Sequence, residues 1–239
     1  MAALISVPAY LSAEETGGYL LDSIEIIGTK DRAQGLPGSG YVVDAEQMKT
    51  EAIDDINQAL KTVPGIYIRE EDGYGLRPNI GIRGATSERS EKVTLMEDGV
   101  LIAPAPYTAP AAYYFPTILR MQSIEVLKGA SMLKYGPQTT GGVLNMISTP
   151  IPTSLSGRVS TFFGQNNQMN GHIYFGDGSG PFKFLFEGVT RLTDGFKSID
   201  RSNRDSGFSI SDYVVKLGFD TGDAGKGSGG NMRFTLPKK

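Results

Sequence analysis

Residues 123–150 read SIEVLKGASMLKYGPQTTGGVLNMISTP, and the pattern of this stretch decides how the rest of the chain is understood. Apolar Ile124 and Val126 alternate with polar Glu125 and then Lys128, the two-residue period of a half-buried strand, which predicts a strand over residues 124–127. A second strand is predicted over residues 143–148. Between them Gly129, Gly136, Gly141 and Gly142 mark turns, because glycine enters positive φ and lets backbones approach closely. The stretch is therefore a strand, a glycine-punctuated connection and a second strand.

Working upstream, Asp98-Gly99 sits between strand-like residues 92–97 and 100–103 and is the strongest short hairpin signal in the chain. The Asp98 side chain has a turn role that needs no ligand. Residues 66–69 and 80–83 read as strands around the polar loop EEDGYGLRPN, residues 70–79. Ile53, Ile56, Leu60 and Val63 recur at spacings of three and four, predicting a helix from an N-cap at Thr50 to Val63, stopped by Pro64-Gly65. Residues 41–43 form a β-rich triplet before it. The segment APAPYTAPAAYYFP, residues 103–116, carries too many prolines for a helix or a central strand and is read as an irregular loop. Its Tyr107, Tyr113 and Tyr114 either present a recognition surface or pack against a neighbouring wall, since a tyrosine ring suits both.

Downstream of residue 152 the texture changes to longer alternating segments. Phe182, Phe184 and Phe186 alternate with Lys183, Leu185 and Glu187; Tyr213, Val215, Leu217 and Phe219 alternate with Val214, Lys216 and Gly218; Met232, Phe234 and Leu236 follow the same period. Strands apolar on one face and polar on the other, joined by turns such as residues 176–180, are the pattern of a transmembrane β-barrel, although a soluble sandwich alternates similarly. About five strand candidates follow residue 157, against the ~22 strands of a plugged outer-membrane transporter. The expected architecture is an N-terminal fragment in which the barrel stays open.

Composition sets the outer bounds. With 31 Gly and 13 Pro in 239 residues the chain favours turns and strands over helices. A net charge of -3 argues against nucleic acid as a partner, which calls for a clustered basic face. The chain has no Cys and one His, so neither a thiolate metal site nor a disulfide framework is available, and His172 lacks the company a zinc site or a catalytic triad needs. No catalytic residue, resident metal or cofactor is expected, and Gly222–Ser228 misses the spacing of a phosphate loop. No stretch reads as a transmembrane helix, because residues 101–119 are broken by four prolines. Residues 1–13 are either the tail of a signal peptide or an ordinary apolar N-terminus.

Several motifs in register carry a family resemblance. IEVLKGASMLKYG followed by GGVLNMIS, together with Pro64-Gly65-Ile66, Ile82-Arg83-Gly84 and Asp98-Gly99 upstream, resembles the plug domain of TonB-dependent outer-membrane receptors over about residues 22–152. Within that family the Ala-Pro-rich loop and KYGPQTTGGV are most like the ferric citrate receptor branch. The resemblance implies an α+β plug with a small mixed sheet and short helices, followed by the first antiparallel strands of an incomplete transmembrane β-barrel. It divides the chain into a signal remnant and tail (1–21), a TonB-box-like segment and linker (22–40), the plug (41–152) and the first barrel strands (153–239). It also implies residence in the bacterial outer membrane, contact with its lipid, recruitment of the energy-transducing protein TonB, and active uptake of an iron(III) chelate as cargo.

Candidate residues follow from these placements. The resemblance makes Asp22, Ser23, Ile24, Glu25, Ile26 and Ile27 the TonB-binding segment, whereas the residues alone also permit an ordinary first strand. Arg83 and Lys128 each end an apolar strand just before a glycine. They are either snorkelling surface charges or, as the resemblance implies, latches that pair with acidic residues of the barrel wall. Their loop positions make Arg77, Arg89 and Lys92 candidates for an anionic chelate, with Thr86, Tyr107 and Tyr113 as neutral hydrogen-bonding groups. The competing reading is a soluble periplasmic or surface binding module built on a plug-like domain.

Overall fold

A computed structural model describes residues 25–102, 111, 114–135, 140–199, 204–219 and 232–235. The chain divides into two compact units, one over Asp22–Thr149 and the other built on Pro150–Lys239. Each unit follows from its own pattern of apolar residues.

The first unit runs α1 (Lys30–Gln34), β1 (Ser39–Asp44), α2 (Ala45–Thr50), α3 (Ile56–Lys61), β2 (Ile66–Arg69), β3 (Asn79–Ile82), β4 (Val93–Glu97), β5 (Val100–Leu101), β6 (Met121–Lys128) and β7 (Gly142–Ser148). Five strands make one mixed sheet in the order β1-β6-β7-β4-β5, with β4 and β7 parallel and the other pairs antiparallel. β2 and β3 form a separate antiparallel pair. Ile124 and Val126 of β6 meet Ile56, Leu60 and Val63 in the larger core. On the opposite face Leu127 and Val143 join Ile27, Ala33, Val42 and Met96 in a smaller one.

Three expectations for this unit are corrected. β6 is not half-buried: it lies between two apolar layers, so Glu125 is as inaccessible as Ile124, both at 0% exposure. The helix expected over residues 50–63 is two helices, because an aspartate caps each: Asp44 Oδ1 accepts from Gln47 N at 2.9 Å, and Asp55 Oδ1 from Asn57 N at 2.7 Å. Thr50 ends α2 instead of capping a helix, and Ala52 turns the chain between them at φ 50°. Nor are residues 30–40 a loose linker. α1 packs on β1 at Gly40, where a Cβ would lie 3.3 Å from the backbone Cα of Ala33, so the absence of a side chain there eases the approach of the helix.

The second unit is an antiparallel meander of β8 (Ser156–Phe163), β9 (Met169–Asp177), β10 (Phe182–Thr193), β13 (Phe208–Phe219) and β14 (Met232–Thr235), with β11 (Ser198–Ile199) and β12 (Arg204–Asp205) pairing within the β10–β13 connection. The register places Val159, Ile173, Gly188 and Tyr213 in one row and so fixes two chemically different faces. One face exposes Val159, Phe163, Ile173, Phe175, Phe186 and Tyr213. The other carries Arg158, His172, Glu187, Arg191, Asp212 and Lys216, and there His172 Nε2 lies 2.8 Å from Glu187 Oε1. The sheet does not close on itself among the described residues. Gly222–Ser228 and Leu236 lie outside the described residues.

Candidate functional site

The candidate TonB-binding segment enters the described structure at Glu25; Asp22, Ser23 and Ile24 lie outside the described residues. Residues 26 and 27 bend instead of extending, so the alternative of an ordinary first strand does not hold at these residues. Gly28, at φ +83°, turns the chain toward α1. Ile27 is 3% exposed and belongs to the smaller core. The Glu125 carboxylate meets this segment: Oε2 accepts from Ile26 N at 2.8 Å, and Oε1 from Ile27 N at 2.9 Å and Gly28 N at 2.7 Å. Asn145 Nδ2 donates to Glu125 Oε2 at 2.9 Å, so the carboxylate collects four donors.

Arg83 and Lys128 are brought together. Arg83 is exposed and sits at φ 52°, with its backbone N–H donating to Gly65 O at 3.0 Å. Lys128 is 4% exposed, and its Nζ donates to Pro64 O at 2.5 Å, so the amine already has a partner within its own unit. Burial pushes the Lys128 amine below its ordinary value, and the Arg83 guanidinium nearby pushes it further. Gly129, at φ +94°, leaves room for Arg83 to lie close: a Cβ there would sit 3.3 Å from both Arg83 Nη1 and Gly38 Cα.

Of the ligand candidates, Arg77 and Arg89 share one loop neighbourhood. Asp72 pins it by accepting from Tyr74 N and Gly75 N at 2.8 Å and from Arg77 N at 3.1 Å, which leaves the Arg77 side chain exposed. Arg89 is held at φ 49° by the buried Asn79, whose Oδ1 accepts from Arg89 N at 2.8 Å, and its guanidinium pairs with Glu71 at 2.7 Å. Glu71 also takes Arg69 at 3.1 Å, so an anion would have to compete with it for Arg89. Thr86 is exposed, and its Oγ1 accepts from Glu88 N at 3.3 Å. Lys92 precedes β4, its Nζ 3.5 Å from Glu91 Oε1. Tyr107 and Tyr113 lie outside the described residues.

Sequence reasoning passed over the polar groups inside the sheet. Arg120, at 0% exposure, forms a two-pronged pair with Glu97 and donates to Tyr114 OH at 3.0 Å. Asp98 does more than turn the chain, since its Oδ1 accepts from Ser148 N at 2.8 Å and its Oδ2 from Ser148 Oγ at 2.5 Å. The next residue, Gly99, donates its N–H to Asn145 Oδ1 at 2.9 Å. The only hint of this network in the sequence was a charged or amide residue at each of positions 97, 120, 125 and 145 within apolar strands or at their ends.

Residues 32–143 match the family described as the TonB-dependent receptor plug domain. Residues 32–143 belong to this plug-domain family. The chain is 26% identical over 223 residues to the vitamin B12 transporter BtuB of Vibrio vulnificus (strain CMCP6), covering 92% of this chain and 34% of that protein. In fold it resembles the ferric citrate transporter FecA in its unliganded form, with a TM-score of 0.71 and 18% identity over 92% of this chain and 34% of that one. It also resembles the ferric yersiniabactin uptake receptor FyuA of Yersinia pestis, with a TM-score of 0.64 and 20% identity over 80% of this chain and 30% of that one. The chain thus spans about a third of the length of the relatives it matches.

The plug fold expected from the sequence is the fold of the first unit, a mixed sheet with few short helices. The family is one of outer-membrane receptors, and the bacterial outer membrane is where this plug belongs. That no described helix is long and apolar enough to cross a membrane is compatible with this, because receptors of this kind cross with strands.

Proposed function

We propose that the chain is the plug and the first barrel strands of a receptor that takes up an iron(III) chelate across the outer membrane with energy supplied through TonB. The observation that carries this reading is the plug unit followed by an antiparallel sheet whose two faces differ, one exposing aromatic and aliphatic side chains and the other carrying paired and buried charges. The apolar face is the surface that lipid would meet, and the polar face the one that would line a lumen. The iron chelate is cargo bound and released, with no resident cofactor.

In this reading Arg77 is the strongest ligand residue, since its loop is fixed by Asp72 while its guanidinium is exposed and makes no ion pair among the described residues. A planar guanidinium suits the carboxylates of a citrate-type chelate. Arg89, Lys92, Thr86, Tyr107 and Tyr113 are secondary. Arg83 is the better latch to a barrel wall because it is exposed, whereas Lys128 braces the plug from within. A second reading, cobalamin as cargo, is favoured by the sequence likeness to a vitamin B12 transporter.

The test offers radiolabelled iron(III) citrate and cyanocobalamin separately to cells in which the full-length protein is the one candidate receptor. Iron accumulation that requires TonB, with affinity reduced about tenfold or more by Arg77→Ala, is the expected result. Accumulation of cobalamin and not iron would replace the chelate with the second reading.

A further inference from the structure

The Glu125 carboxylate is a built site whose occupant is part of the same chain. It lies in a row across the first sheet, opposite Val42 on β1 and Asn145 on β7, and Asn145 in turn faces Met96 on β4. An acidic residue on an apolar inner face is costly unless its oxygens find donors. The donors here are three successive backbone N–H groups, from Ile26, Ile27 and Gly28, and the Asn145 amide. Successive N–H groups folded around one anion form a backbone nest, and the left-handed Gly28 completes the turn that makes them converge.

We propose that Glu125 is the release anchor of the coupling segment, the group that must let go before residues 26–28 leave the plug, and that Asn145 ties this anchor to the Asp98-Gly99 turn. The proposal rests on the reading of residues 22–27 as the TonB-contacting segment. Backbone donors make the anchor strict about register, because a shift of one residue takes one N–H out of the nest. Pulling the segment away strands a buried carboxylate with one remaining donor, so detachment is resisted until the whole nest opens. The Asn145 amide is committed at both ends: its Nδ2 serves Glu125 and its Oδ1 takes the Gly99 N–H at the base of the hairpin that leads into the Ala-Pro-rich loop. A rotation of that turn therefore changes the support of the anchor through one side chain. The device is a two-position element, docked or released, and both ends of the network bias it.

Glu125→Gln tests this with little change of shape, since an amide offers one acceptor oxygen where the carboxylate offers two and turns an N–H against the nest. Amide hydrogen exchange in the full chain should be faster at Ile26, Ile27 and Gly28 by about tenfold or more, the scale of a lost charge-assisted hydrogen bond. Exchange at Val126 and Leu144 should stay as in the native chain. Asn145→Ala should speed the same three amides together with that of Gly99. Unchanged exchange at 26–28 in Glu125→Gln, or equal acceleration at Val126 and Leu144, overturns the anchor; acceleration of Gly99 alone in Asn145→Ala overturns the tie. Binding of a purified TonB carboxy-terminal domain separates the two layers. Tighter binding to Glu125→Gln is expected, whereas local release without any change in binding leaves the anchor standing and removes the TonB reading beneath it.

Discussion

Lys128 shows at the scale of one residue how burial turns a familiar side chain to a different use. The alternation of the strand marked it as a charge at the edge of the sheet, and the resemblance made it a latch, but the structure gives it a backbone acceptor at Pro64 and 4% exposure. Its folded-state value lies below the ordinary 10.5, first through burial and then through Arg83. The buried amine thus opposes folding while it is charged. That opposition is relieved as pH rises through the depressed folded value and is fully gone above 10.5. The native chain should therefore gain stability, relative to Lys128→Met, as pH is raised from neutrality through this window. Urea unfolding midpoints of both chains at stepped pH check this, and parallel curves would remove the assignment.

Glu125 and Asn145 were not legible at this scale for a related reason. A polar residue between apolar neighbours reads as the solvent face of a strand, and nothing local reveals a second layer packed on that side. The layer consists of Ile27, Ala33 and Leu36, which approach β6 from about a hundred positions upstream, as in the separation of 98 between Ile27 and Glu125.

At the scale of elements, the Asp98-Gly99 hairpin, the 66–69 and 80–83 strands and both strands of the opening stretch were readable to within a few residues, because turn chemistry and two-residue alternation are local. The split between α2 and α3 was not, because the apolar stripe Ile53, Ile56, Leu60 and Val63 keeps helical spacing across the break. Asp55 decides the matter by starting a new helix, and a glycine on another element protects it. A Cβ at Gly75, which sits at φ +67°, would fall 1.8 Å from Asp55 Oδ1. Gly75→Ala should therefore strain the loop backbone and displace the cap together, costing roughly 1–3 kcal/mol from backbone strain and about 1 kcal/mol from the cap. Gly65→Ala is a fair control, because that glycine also has positive φ, at +77°, but would meet nothing within 4 Å. Equal losses in thermal unfolding for the two variants would contradict the shared role of Gly75 and Asp55.

At the scale of the molecule, the two textures of the sequence correspond to two units. Mixed short elements with many glycines make the plug, and long alternating strands make the meander, whose aromatic rows were readable because every second residue repeats the same chemistry. The candidate ligand residues were legible only as charges on loops. Their division into an exposed Arg77 and a paired Arg89 depends on Glu71, Asp72 and Asn79, contacts that no spacing rule anticipates.

The central claim is that a segment beginning at Asp22 couples this plug to TonB so that cargo moves inward. Uptake of radiolabelled iron(III) citrate by cells carrying the full-length receptor, native or with Ile24→Pro, tests it most directly, since proline at that position removes a backbone donor needed for strand addition. The account predicts that surface binding of the chelate is retained while TonB-dependent accumulation is lost. Accumulation in Ile24→Pro at the native rate, with binding intact, would contradict it.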